Sequence, residues 1–513
     1  MRHATLGLLF LAAAGALPAQ DGPSTLTGSL LIDRHIEQTW KDAVVTPAGI
    51  ADDAEFLRRA SLDITGVLPG ADEVLEFLKD PKADKRAAKI DQLITRPEYA
   101  HAWAELWEDV LVGYDQQSRT DSNKALYTWL RDEVFGKNLP YDKMVTALLA
   151  SNGINTECGP VNFLLKLSRK DGMGGVTMAS KASKLFMSTQ IQCAQCHDHP
   201  FDRFTQDDFY GMVAFFARTK AKKVDSQDQK DKRFELYEAP QGEASFGEGK
   251  AKKNVAPRFL DEIAPPKDLS RREAFVKLLI RPENPNFAKS VVNRYWARFL
   301  GRGIIEPVDD FSNRFKASHP ELLNELGKDF VAHGYDVAWL IRSIANSRTY
   351  QLSSRRPENA SSERYFSYST TRPLTAEQLC MCLMGALGLV DGEGVAKNKG
   401  DMLRQFRQRF GDEETADRGI FQGTIPQALM IMNGSLPNGE IGRKNNRLDK
   451  ILGQFPAPEE RLERIFLTVL CRRPTPAEAS KFLPYVKASG PKNVAYEDVY
   501  WVLLNSSEFL FNH

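Results

Sequence analysis

The chain has 513 residues, and its 68 Lys and Arg against 67 Asp and Glu leave a formal charge of +1 at pH 7. That balance supplies no net field to draw in nucleic acid or an anionic membrane. With 42% hydrophobic and 26% charged residues the composition is globular, which excludes wholesale disorder; the length suits two or three cored domains, and six cysteines are too few for a disulfide scaffold.

The first twenty residues read as a cleavable signal peptide. Arg2 and His3 form a short basic start, Leu6 to Leu17 is an apolar run, and small residues follow at Ala14-Gly15-Ala16 and Pro18-Ala19. The run is shorter than the ~18 apolar residues a membrane span needs, and none like it recurs. No cysteine lies beside the cleavage region, which argues against a lipoprotein. The expectation is a periplasmic or secreted protein of the cell envelope, without a transmembrane segment once the signal is removed.

Helical periodicity begins soon after. Apolar residues recur at three- and four-residue spacing over Ala54 to Leu62, Asp72 to Leu78, Ala87 to Ile94, Ala100 to Leu111 and Ala125 to Phe135. Trp103 and Trp107 lie one helical turn apart and read as core packing. Val176 to Ile191 fits a helix running into a cysteine motif, with Pro200 ending it just past His197. Asp207 or Asp208 is the expected cap of the next helix, whose apolar face is Phe209, Met212, Val213 and Phe216. Met212 on that face reads as core filling.

From 219 to 267 the character changes. Lys220 to Arg233 is dense in charge of both signs, Glu235 to Ala244 and Phe246 to Val255 carry strand-like pieces, and Pro257, Pro265 and Pro266 punctuate the exit. Helices resume over Phe275 to Ile280, Val291 to Phe299, Glu321 to Ala332, Val337 to Ala345, Ala376 to Leu389, Ile425 to Met432, Pro458 to Leu470, Ala477 to Tyr485 and Asp498 to Leu504. The reading is therefore mainly α: two helical domains, 24–218 and 268–513, joined by a charged, Pro-containing linker with room for a short β-hairpin.

Cys193-Ala194-Gln195-Cys196-His197 carries the chemistry. Two cysteines three apart can each form a thioether with a haem vinyl group, and the adjacent histidine can then ligate the iron, so Cys193, Cys196 and His197 are candidate c-type haem residues. Other readings stay open. In an oxidising compartment the two cysteines could be a disulfide or free thiols. With His197 and His199 they could also form a zinc or other metal clip, which would need a remote ligand such as Cys158 or Asp202. Thiol redox chemistry ranks last because no βαβ pattern surrounds the motif. Cys380, Cys382 and Cys471 sit in apolar helical patterns and read as core thiols.

Stretches in both halves of the chain carry a family resemblance. Arg58-Arg59-Ala60-Ser61-Leu62-Asp63-Ile64-Thr65-Gly66, the run from Cys193 to Asp202, and the aromatic helix after it resemble the planctomycete cytochrome-like domain. Asn284-Pro285, Val292-Asn293-Arg294, Gly301-Arg302-Gly303, Asp309-Asp310-Phe311, Ser318 to Leu323 and Leu504 to Phe509 resemble its usual C-terminal companion, a planctomycete-specific domain of unknown function. The resemblance implies an exported, mostly helical protein, often encoded near sulfatase-like partners and linked to the use of complex polysaccharides. Residue by residue it covers Cys193, Cys196, His197 and His199 in the first domain and Asp309, Asp310 and His319 in the second. His101 falls where relatives carry other polar residues and is not taken as a haem ligand.

Two classes of function follow. In one, haem is held by Cys193 and Cys196 with His197 as proximal ligand, and single electrons pass to a redox partner or a sulfatase-like protein. In the other, the motif is a structural disulfide or metal clip in a binding or assembly protein, and Asn293, Arg294, Asp309, Asp310 and His319 form a polar site. Asp309 and Asp310 are consecutive and point different ways, which suits a loop or cap more than paired acid–base work. No catalytic residue is assigned.

Overall fold

The computed structural model describes residues 26–513 except 114–120, 169–173, 225–232, 248–251, 261–262, 359–361, 392–393, 396–405, 407–438 and 489–492. The signal peptide expected over residues 1–20 and the helix expected over Ile425 to Met432 lie outside the described residues. The chain is mainly α, with small antiparallel sheets of two or three strands. Among the described residues no helix is long and apolar enough to cross a membrane.

The first helices are α1 (Leu26–Asp42), α2 (Asp53–Thr65), α3 (Ala71–Lys79), α4 (Lys85–Ile94), α5 (Pro97–Val112) and α6 (Asp121–Trp129), which runs on as a π-helical turn over Leu130–Phe135. Their ends obey local chemistry. Asp52 caps α2 by accepting from Glu55 N, Pro97 opens α5 at its first turn, and Gly66 closes α2 in the left-handed region at φ 71°. Next come α7 (Tyr141–Ala150), the short strand β1 (Gly153–Ile154), α8 (Val161–Ser168), α9 (Gly174–Met187), a 3₁₀ turn over Gln192–Gln195 and α10 (Gln206–Phe216).

The charged stretch after α10 is two hairpins. Strand β2 (Thr219–Lys223) pairs antiparallel with β3 (Phe234–Glu238), and β1 adds on the far side of β3, giving the order β1-β3-β2. Lysines 220, 222 and 223 are exposed on the edge strand, where charge discourages pairing with another chain. Strands β4 (Ala244–Phe246) and β5 (Lys253–Val255) form the second hairpin.

The chain then forms α11 (Arg271–Leu279), α12 (Pro285–Leu300), α13 (Pro320–Ala332), α14 (Val337–Ala345), strand β6 (Arg372–Pro373) and α15 (Ala376–Leu387). Later helices span Arg447–Gln454, Pro458–Leu470, Pro476–Ala488, Val494–Leu504 and Ser507–Leu510. One apolar core draws on residues from Ile32 to Tyr368, on both sides of the hairpins. Within it Trp107 Nε1 donates to Tyr295 Oη at 3.1 Å, and Trp103 of α5 stacks on the same tyrosine of α12. A second core gathers Leu62 with apolar residues from Leu374 to Phe509, including buried Cys380 and Cys382; Cys471, also buried, packs in the first.

Helix α2 joins the two cores through buried charge. Arg58 Nη2 donates to the carbonyls of Glu508, Phe509 and Phe511 at 2.9, 3.0 and 3.2 Å. Arg59 donates to the carbonyls of Tyr350, Leu352 and His513 at 2.6, 2.8 and 3.2 Å, and pairs with Glu55 at 2.6 Å. Asp63 accepts from Tyr350 Oη at 2.9 Å, from Arg372 Nη2 at 3.0 and 2.9 Å, and from Asn512 Nδ2 at 2.8 Å. Buried charges persist when they are paired and hydrogen-bonded, and apart from Glu55, one turn before Arg59, these partners come from distant sequence. The charged run beginning at Arg58 is thus a structural clasp on the chain's last residues.

Candidate functional site

The cysteine motif lies where α9 gives way to α10, and its approach differs from the helix expected to run through Ile191. Helix α9 stops at Met187 because Ser188 adopts the left-handed region at φ 48°. The turn is held from outside: Ser188 Oγ donates to Val308 O at 2.9 Å, and Phe311 N donates to Ser188 O at 2.7 Å. Those two bonds with the loop after α12 replace the ones a further helical turn would have made. Gln190 Nε2 adds a long contact to Asp309 O at 3.5 Å.

Beyond this turn Ile191 and Ala194 are buried, anchoring the 3₁₀ turn, while Cys193, Cys196 and His197 are exposed. Burying the turn's two apolar residues directs its two cysteines outward. All six cysteines of the chain are free thiols. His197 Nδ1 lies 2.7 Å from the carbonyl oxygen of Asp198. A carbonyl can only accept, so Nδ1 is the donor and Nε2 is the ring nitrogen left for other contacts. Metal-ligating histidines commonly have their second nitrogen tied to a carbonyl in this way. Two free, outward thiols on one turn beside such an imidazole fit the donor set of a covalently attached haem.

The remaining motif residues serve their own loop. His199 N donates to Phe204 O at 2.7 Å, and its Nδ1 accepts from Phe201 N at 3.3 Å. Asp202 accepts from Arg203 N at 2.8 Å. Cys158 packs beside Gly153 of β1, its N donating to Ile154 O at 2.8 Å. Among the described residues no group of three or more His, Cys, Asp or Glu side chains is arranged to hold a metal ion. Thr205, rather than Asp207 or Asp208, caps α10: its hydroxyl accepts from Asp208 N while the Asp208 carboxylate accepts from Thr205 N, a reciprocal box at the third helical position. Met212 is fully buried, as its apolar face requires. Tyr210 of α10 stacks on Phe246 of β4 at 4.8 Å, and burial with the neighbouring Cys196 thiol raises its phenol above the ordinary value.

Of the second set of polar residues, Arg294 and Asp309 meet. Buried Asn293 braces the loop after α12, donating to Ile305 O at 2.9 Å and accepting from Ile305 N at 3.0 Å. The next residue, Arg294, forms an ion pair with Asp309. Asp310 accepts from Ser312 N at 2.9 Å, a local turn bond. His319 stands apart at the start of α13, with Nδ1 3.0 Å from Ser318 Oγ and its ring 5.5 Å from Phe366. Burial, then the charges of Arg364 and His35, push its pKa down to about 4.

The structure therefore joins two motifs that are far apart in sequence. The loop bearing Asp309 fastens the entry to the cysteine turn, and Arg314 from the same loop lies 4.5 Å over the ring of exposed Phe201. Ser188, Gln190 and Arg314 carry this junction and were not singled out in the sequence, whereas Phe201 lies inside the run from Cys193 to Asp202 that carries the family resemblance.

Residues 31–221 match the family described as PSCyt2, a protein of unknown function (DUF1549), and residues 271–398 match PSD1, a protein of unknown function (DUF1553). No curated protein and no solved structure gives a significant match.

Proposed function

The chain belongs to the two-domain planctomycete family that sets these two regions in tandem, and from that premise we propose that it is an exported protein holding haem covalently through Cys193 and Cys196, with His197 Nε2 as the proximal ligand. The observation that carries the reading is the cysteine turn itself: two free, exposed thiols beside an imidazole whose Nδ1–H is engaged by Asp198 O. When bound, such a group supplies reversible one-electron chemistry at its iron. The protein's share is to aim the thiols outward from the buried anchors Ile191 and Ala194, to fix the imidazole tautomer, and to hold the turn against the Asp309 loop. The partner on this reading is a redox protein or a sulfatase-like protein of the cell envelope, in the service of polysaccharide use, as the family resemblance implies.

The test is a reduced-minus-oxidised spectrum with intact mass on protein matured in a host that attaches haem to Cys-x-x-Cys-His motifs. Expected are one haem's added mass, visible absorbance, and an N-terminus lacking residues 1 to about 19. Protein from that host with neither haem mass nor absorbance overturns the reading and moves the function to the binding or assembly class.

A further inference from the structure

Six aromatic side chains form an unbroken buried file across the main core. Tyr141 lies 5.8 Å from Trp107; Trp107 donates Nε1 to Tyr295 Oη at 3.1 Å; and Tyr295 stacks on Trp103 at 4.7 Å with planes 4° apart. Trp103 then lies 6.2 Å from Phe299 at 19°, and Phe299 meets Tyr350 edge-on at 5.6 Å. None is more than 2% exposed. Aromatic packing by itself requires only rings in contact. Here five of the six are Trp or Tyr, the side chains that lose an electron most readily, and the file ends with a phenol hydrogen-bonded to a carboxylate: Tyr350 Oη donates to Asp63 Oδ2 at 2.9 Å.

Its other end packs on α12, the helix that borders the approach to the cysteine motif. Tyr141 stacks on Phe287 at 5.3 Å, and one turn further along α12 Ser290 Oγ donates to Phe186 O at 3.0 Å, in the last turn of the helix that leads to the motif. We infer that the file is a relay for single oxidising equivalents, running from the cysteine-motif side of the core to Tyr350, with Asp63 as the proton acceptor.

The step balances as follows. A one-electron, metal-centred oxidant on the motif side takes an electron from Tyr141 or Trp107, and Tyr295 and Trp103 refill the vacancy in turn. Tyr350 supplies the last electron while its Oη–H bond breaks and the proton passes to Asp63. The oxidant is reduced by one electron, Tyr350 becomes a neutral phenoxyl radical, and Asp63 becomes a carboxylic acid. The carriers are in contact up to Trp103, the last transfer crosses the Phe299 ring, which is not itself oxidised, and the terminal proton moves along an existing hydrogen bond, so little rearrangement is needed.

The experiment uses the full chain carrying Cys158→Ser and Cys196→Ser, with a ruthenium polypyridyl photo-oxidant coupled to Cys193 and flash-oxidised with a diffusing quencher. The photo-oxidant supplies the oxidising equivalent, so the outcome is separate from whether haem attaches. Transient absorption and electron paramagnetic resonance should report a tyrosyl radical. Trp103→Phe and the nearly isosteric Tyr295→Phe should each slow its appearance by an order of magnitude or more. Trp296→Phe, at a buried tryptophan that contacts Phe366 outside the file, should leave the rate unchanged. Circular dichroism identifies any variant that fails to fold, and one folded variant of the file is enough for the comparison. No tyrosyl radical in the parent chain, or equal rates in the file variant and Trp296→Phe, overturns the relay.

Discussion

Replacing Asp63 with alanine removes the centre of the buried clasp, and the structure sets the size of the loss. Four hydrogen bonds vanish at once: two from Arg372, one from Tyr350 and one from Asn512. Taking one partner from a buried ion pair costs about 3–5 kcal/mol because the other charge stays behind uncompensated. The Arg372 side chain is 18% exposed, so water recovers part of its solvation and the charge contribution falls to about 3 kcal/mol. The stranded Tyr350 hydroxyl and Asn512 amide add about 1–2 kcal/mol. A total near 4–5 kcal/mol should appear as a lower midpoint in urea unfolding followed by tryptophan fluorescence. Pairing the change with Arg372→Met separates charge from packing: the double variant should cost much less than the sum of the singles, since no bare guanidinium remains. A loss below about 1 kcal/mol for Asp63→Ala, the scale of an exposed pair, would refute the reasoning, as would simple additivity.

The pH dependence of stability should carry a mark of His319. Burial lowers its folded pKa to about 4 from 6.5, so the unfolded chain binds the extra proton between those values; the contribution is complete above about 6.5 and declines as pH falls toward 4. His319→Phe should flatten the unfolding free energy across that interval, and an unchanged slope would contradict the assignment. Thr205→Ala should destabilise by about 1 kcal/mol through loss of the α10 capping box, while Asp207→Ala, at a residue outside the box, should cost less; the reverse order in urea midpoints would count against the cap. Trypsin should cut first between Lys220 and Pro266, where lysines stand exposed on an edge strand, yet the nicked pieces should co-elute because Trp103, Trp107 and Tyr295 share one core; pieces that separate on gel filtration would disprove it. In haem-bearing protein, His197→Ala should keep the added mass and alter the spectrum, whereas Cys193→Ala should remove one thioether; an unaltered His197→Ala spectrum excludes that residue as ligand.

Helices with a clear apolar period were legible in the sequence almost to the residue. Pro458–Leu470 and Val337–Ala345 form as expected, since apolar residues three and four apart leave one buried face. Helices α7 and α8 were not anticipated: Val161–Ser168 is apolar around most of its surface, so no face stands out. Strand β2 hid for the opposite reason. Its alternation is masked by lysines, and what makes it a strand is the partner β3. At the site, the cysteine and histidine spacing marked the turn in the sequence, where it left haem, disulfide and metal clip all open. Its junction with the Asp309 loop was not marked there, because Ser188 turns away from the helix only under bonds made by residues more than a hundred positions later. Buried charge in α2 did leave a signal that periodicity passes over: Glu55, Arg59 and Asp63 recur every four residues within an apolar helix.

The clasp of Arg58 on Glu508, Phe509 and Phe511 spans 450 to 453 residues of sequence. Until residues 508 to 511 have been made, the Arg58 guanidinium lacks the carbonyl acceptors that let it be buried. Contacts of such long range also make folding slow. Closure of the second core around α2 therefore waits for the segment that carries Glu508, Phe509 and Phe511. Expressing residues 24–218 alone would strand Arg58, Arg59 and Asp63 without their partners, so the boundary that separates the two family matches is no place to divide the polypeptide for study.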